Sequence, residues 1–153
     1  MKPAHLLLLA AAALAVAGWA RLGQPASSAP ADLERTLVHD GWVRGYRVHL
    51  PPGYDGRARL PAVLVLHGGG GNGAQIERVS GMSALADAEG FVAVYPDGTG
   101  PLRNALLTWN AGNCCGRALD NGVDDVGFIA ALLDELTAPL AVDPQKIFVT
   151  GIS

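Results

Sequence analysis

At 153 residues and 50% apolar composition, the chain is long enough for one modest domain with its own core and too apolar for a disordered or low-complexity segment. Its 11 Lys and Arg against 14 Asp and Glu give a net charge of -3, and no stretch gathers a basic run that could follow a phosphate backbone, so the balance speaks against nucleic acid as a partner.

Lys2 and His5 precede LLLLAAAALAVAGWA, and Ala15-Val16-Ala17 offers the small residues that a signal peptidase needs. The apolar run stops at Arg21, short of the roughly 20 residues of a spanning helix. Residues 1–20 are therefore expected to be a signal peptide that sends the chain to the periplasm or outside the cell, with no stable membrane anchor. No Cys follows the run closely enough to carry a lipid. Residues 21–31, with GQPASSAPA among them, have the composition of a flexible leader, which places the folded part at 32–153.

Leu33 to His39 and Trp42 to Leu50 flank Asp40-Gly41, the sequence of a two-residue hairpin. In the second run Tyr46, Val48 and Leu50 alternate with Arg47 and His49, which predicts a strand with one face buried. PPGYDG is a turn. PAVLVL, from Pro61 to Leu66, is too short for a helix and reads as a strand covered on both faces. Ile76, Val79, Met82, Leu85 and Ala86 predict one helix over Gln75 to Glu89, stopped by Gly90. FVAVY, from Phe91 to Tyr95, is the next buried strand, and Pro96 to about Asn121 is a long loop with little regular pattern. Asp124 and Asp125 open a helix that runs to about Thr137 with Val126, Ile129, Leu133 and Leu136 on its face. VDPQ is read as a turn and Lys146 to Thr150 as a third buried strand.

Short apolar strands separated by helices predict an α/β fold, a parallel sheet flanked by helices, here entered through an antiparallel hairpin. The order of elements matches the N-terminal half of the α/β-hydrolase fold.

The chemistry gathers at two loops. His67-Gly68-Gly69-Gly70-Gly71-Asn72 follows the first buried strand, where glycines let the backbone turn sharply and present N–H groups to a developing oxyanion. The run lacks the Lys and Ser/Thr of a nucleotide-binding loop. His67 reads either as a base or as a loop-shaping hydrogen-bonding residue. The strand IFVT then runs into Gly-Ile-Ser, the opening of a G-x-S-x-G nucleophile turn, which makes Ser153 the candidate nucleophile. Cys114-Cys115 are candidates for a disulfide, with each other or with a partner elsewhere, and no Cys/His cluster has the makings of a zinc site. Trp109 reads as a packing residue or as a substrate platform.

PAVLVLHGGGGNG, FVAVYPDGTG, TWNAGNCCG, NGVDDVGFIAALLDEL and VDPQKIFVTGIS, in that order, resemble the secreted esterase family that includes polyhydroxybutyrate depolymerases and related feruloyl and acetylxylan esterases. The resemblance runs from about Arg44 to the end. It implies hydrolysis of a carboxylic ester, in a polyester or an acylated plant polysaccharide, through an acyl-enzyme on Ser153, without metal or organic cofactor. It also implies that Gly69, with Gly70 beside it, binds the oxyanion, and that the loop from Trp109 to Cys115 lines or supports the cleft, with His67 and Trp109 as cleft candidates. A secreted peptidase of the same fold and a non-catalytic binding protein on the same scaffold are the competing readings.

In this fold the triad runs Ser, then Asp or Glu, then His, so both partners are expected after Ser153. The four histidines fall elsewhere: His5 in the signal, His39 and His49 on the hairpin, His67 in the glycine loop. Asp124 and Asp125 are read as a helix start rather than as the triad acid. The expectation is a truncated catalytic domain, inactive as 153 residues alone, whose last strand has an unpartnered edge.

Overall fold

The computed structural model describes residues 31–152. The expected signal peptide, nearly all of the expected leader, and Ser153 lie outside the described residues. The elements run β1 (Ala31–His39), β2 (Trp42–Leu50), β3 (Leu60–Leu66), α1 (Gly73–Ser80), α2 (Met82–Glu89), β4 (Val92–Pro96), α3 (Gly116–Asp120), α4 (Asp125–Thr137) and β5 (Val142–Gly151).

Asp40 and Gly41 both take positive φ, 48° and 77°, giving the tight turn whose twist suits the flanking strands. β1 pairs antiparallel with β2 along its length, from Ala31↔Leu50 to His39↔Trp42. One sheet of five strands results, in the order β1-β2-β4-β3-β5, with β4, β3 and β5 parallel and β2 antiparallel to β4. The parallel part requires crossovers, and these cover both faces. Alternate residues of β3 and β4 point to opposite sides. Ala62, Leu64, Val92 and Val94 join Phe128, Leu132 and Leu136 of α4, whereas Val63, Val65, Ala93 and Tyr95 meet Ile76 of α1 and Ala86 of α2. Each fully buried large side chain in these layers contributes about 1.5–3 kcal/mol.

Several expectations are corrected by the packing. The single helix over Gln75 to Glu89 is two, because Gly81 adopts φ 67° and turns the chain between α1 and α2. The face of α4 is rotated. Val126 is 81% exposed, and the inward residues are Asp125, Phe128, Leu132 and Leu136. β2 is buried on both faces at its end, since α2 covers the side that holds His49. VDPQ is part of β5: Leu60 pairs with Val142 and Ala62 with Ile147, so the intervening residues bulge out of the ladder, where Pro144 is tolerated.

The third strand is not buried. β5 pairs with β3 on one side, and Phe148 and Val149 are each 58% exposed among the described residues. The stretch after β4 is not patternless either. Thr99 bridges to Thr108 and Leu102 to Ala105, which folds it into a small hairpin ahead of α3.

Candidate active site

β3 and β5 are parallel neighbours, so their carboxyl ends lie on one edge of the sheet. Val65 pairs with Thr150 and Leu66 with Gly151, and the Ile152 N–H donates to the Leu66 carbonyl at 3.3 Å. The glycine loop leaves the sheet from β3 at this edge. A cavity of about 400 Å³ opens there, lined by His67, the run Gly68–Gly71, Gln75, Ile76 and Val79, and by Ile152, the residue that precedes Ser153 in the chain.

Within the loop the backbone donors have different fates. The Gly71 N–H closes a turn onto the Gly68 carbonyl at 3.0 Å, and the Gly70 N–H donates to the Leu107 carbonyl at 2.8 Å. Gly69 is exposed and its N–H has no hydrogen-bond partner among the described residues. Of the two glycines named from the sequence, Gly70 is thus committed to holding the loop, while Gly69 keeps its donor.

His67 is only 2% exposed. Its Nδ1–H donates to the Gly68 carbonyl at 2.8 Å, and its Nε2 accepts the Gly98 N–H at 2.9 Å. One donor and one acceptor define a neutral imidazole. Burial pushes its pKa below the ordinary histidine value, outweighing the Gly68 carbonyl and the Asp97 and Asp125 charges that favour protonation. Gly98 fits this contact only without a side chain, since a Cβ there would lie 2.4 Å from the Thr108 carbonyl oxygen and 3.2 Å from His67 Nε2. Trp109 stacks on His67 at 4.9 Å between ring centroids and donates its indole N–H to the His67 carbonyl at 2.9 Å. Both cleft candidates are therefore engaged in holding the glycine loop, and the cavity is lined by the His67 residue with its glycines.

Beneath the loop lies an ion pair that the sequence reading did not single out. Arg44 is 2% exposed, and its Nη2 donates to Asp125 Oδ1 at 2.6 Å and to the Asp97 carbonyl at 3.1 Å. Its guanidinium carbon stands 3.9 Å from the centroid of the Phe128 ring. Asp125 Oδ2 accepts the Asn110 N–H at 2.6 Å. Asp124 is the helix cap, accepting the Gly127 N–H at 2.9 Å and pairing with His39 Nε2 at 2.9 Å. A signal for Arg44 was present: it has the same parity in β2 as the inward Tyr46, Val48 and Leu50, and an arginine in that register needs a buried counter-charge.

The other described imidazoles are also occupied. His49 Nδ1 faces Asp32 at 2.7 Å and Nε2 faces Asp87 at 2.8 Å. Asp32, His49 and Glu77 could each offer one ligand atom to an ion within 4.8 Å of the others, but these groups are already paired, Glu77 with Arg47 Nε at 2.6 Å. Cys114 and Cys115 lie side by side in the turn that follows Trp109. No helix among the described residues is long and apolar enough to cross a membrane.

Comparison with known proteins follows the same geometry. Residues 44–153 match the family described as Esterase PHB depolymerase. "Putative esterase NocK" of Nocardia uniformis subsp. tsuyamanensis is 37% identical over 123 residues, covering 78% of this chain and 33% of that protein. Feruloyl esterase B of Piromyces equi is 33% identical over 107 residues, covering 69% of this chain and 18% of that protein. Among solved structures, an acetyl xylan esterase from Aspergillus awamori superposes with a TM-score of 0.59 at 21% identity, over 79% of this chain and 42% of that one. The fold is that of the α/β-hydrolases. The chain spans 33% and 18% of the lengths of the two curated relatives.

Proposed function

Because this chain belongs to the PHB depolymerase esterase family, we propose that it carries the nucleophile and one oxyanion donor of a serine carboxylic ester hydrolase. Ser153 attacks the ester carbonyl and becomes acylated, the alcohol leaves, and water then releases the acid. The Gly69 N–H donates to the carbonyl oxygen as it gains charge. The observation that carries this reading is the common edge of β3 and β5, where Ile152 and the glycine loop line one cavity. The triad acid and base are not assigned to the described residues, since His39, His49 and His67 are each held by other partners.

The names of two relatives, feruloyl esterase and poly(3-hydroxyalkanoate) depolymerase, support a reading of the substrate class. We place this chain among enzymes of polyesters or acylated plant polysaccharides. Export suits so large and insoluble a substrate, and Lys2 followed by the apolar run from Leu6 supports it. The test uses the protein expressed from its gene against a nitrophenyl butyrate, methyl ferulate and poly(3-hydroxybutyrate). Hydrolysis of at least one, lowered about 10⁴-fold or more in Ser153→Ala, is expected. Turnover that survives the substitution contradicts the assignment.

A further inference from the structure

We propose that the buried Arg44–Asp125 pair is a positioning device for the oxyanion donor, holding both arms of the 96–110 hairpin so that the hairpin in turn fixes the glycine loop. The inference rests on the ester hydrolase reading of Gly69 and extends it to two residues that act on the loop through the hairpin.

The geometry runs in two parallel branches. Arg44 holds the first arm through the Asp97 carbonyl at 3.1 Å, and the next residue on that arm, Gly98, donates to His67 Nε2 at 2.9 Å. Asp125 holds the second arm through the Asn110 N–H at 2.6 Å. On that arm, Trp109 donates to the His67 carbonyl at 2.9 Å and the Leu107 carbonyl accepts the Gly70 N–H at 2.8 Å. The arms are joined to each other by the reciprocal backbone bonds of Thr99 and Thr108, both 2.9 Å. The two branches converge on His67 and Gly70, the residues on either side of the Gly68–Gly69 peptide. Arg44 and Asp125 themselves meet at 2.6 Å, 2% and 7% exposed, so neither carries its charge into water.

A bare structural role would need the ion pair only for stability. Such pairs contribute little net stability compared with apolar residues of the same bulk. The arrangement here adds something an apolar pair cannot supply: directed bonds from each partner to one arm of the hairpin. Donors for a developing oxyanion must be fixed before the charge appears, and a displacement of about 1 Å is enough to cost about 100-fold in rate.

The test compares the wild-type protein, expressed from its gene, with Asp125→Asn, Arg44→Lys and the double variant Arg44→Met with Asp125→Leu, which leaves no charge buried alone. In each variant kcat for a nitrophenyl ester is expected to fall about 10- to 100-fold with KM within about twofold, because transition-state binding is weakened while ground-state binding is kept. Amide hydrogen exchange over residues 67–72 quickens in the same variants, and the double variant keeps close to the wild-type Tm. A folded double variant with wild-type kcat, or unchanged exchange over 67–72, overturns the proposal. If the double variant fails to fold, Asp125→Asn and Arg44→Lys decide by the same two readouts. A wild-type protein that hydrolyses none of the esters defeats the functional reading instead, and the exchange rates still judge the positioning.

Discussion

The surroundings of His67 and His49 differ in charge although both imidazoles are buried, 2% and 6% exposed. At the glycine loop, His67 meets one carbonyl and one N–H, so only the neutral ring satisfies both. Between the hairpin and α2, His49 meets a carboxylate at each nitrogen, Asp32 from β1 and Asp87 from α2, and only the cation donates to both. Burial by itself would lower the pKa of His49, yet the hydrogen bonds to Asp87 and Asp32 prevail and raise it. The difference teaches that burial alone does not set the charge of an imidazole; the atoms placed against its nitrogens do. One histidine is a neutral strut under the glycine loop, and the other is clasped between two carboxylates toward the far end of the same sheet.

The largest way to break the contrast is to intrude on the strut. Gly98→Ala places a methyl group 2.4 Å from the Thr108 carbonyl oxygen and against His67, where backbone must move. It is expected to cost about 3 kcal/mol in urea unfolding and to loosen the glycine loop with it. A smaller loss, about 1–3 kcal/mol, is expected for His67→Ala, which leaves the buried Gly98 N–H without its acceptor. Equal stability of His67→Ala and the wild type would remove the strut from the account.

The finest test is the direction of the pH dependence. The folded pKa of His67 lies below the ordinary value of 6.5, so its contribution is complete above that pH and is lost as pH falls toward the folded pKa. For His49 the folded pKa lies above 6.5, so its contribution is complete below that pH and is lost as pH rises through the folded pKa. Asp32, Asp87 and, on α1, Glu77 are the charges that face it. Thermal melts across pH should therefore flatten on the acid side in His67→Gln and on the alkaline side in His49→Gln. Reversed slopes would exchange the two roles.

What could be read from the sequence were the features governed by neighbours in the chain. Asp40-Gly41 placed the hairpin, PAVLVL and FVAVY placed two central strands, and Asp124 placed the start of α4, because turns, apolar runs and caps are local. The rotation of α4 was hidden by Asp125. A carboxylate counts as a solvent-facing residue until its partner is known, and Arg44 lies 81 residues away. The same distance effect concealed His49, whose outward parity in β2 gave no hint that α2 and Asp87 would cover it. Gly70 shows the limit at the site itself. The family resemblance implies an oxyanion role for it beside Gly69, but the hydrogen bond to Leu107 across the loop spends its N–H on support, while the Gly69 N–H has no partner among the described residues.

The central claim is that the chain continues from the cavity wall at Ile152 into a nucleophile. The most direct measurement is to treat the protein expressed from its gene with a fluorophosphonate and locate the adduct by peptide mass spectrometry. The account predicts a single phosphonylated serine, Ser153, with labelling blocked by prior incubation with an ester substrate. An adduct on another serine, or an unlabelled Ser153 in a protein that turns over esters, would contradict it.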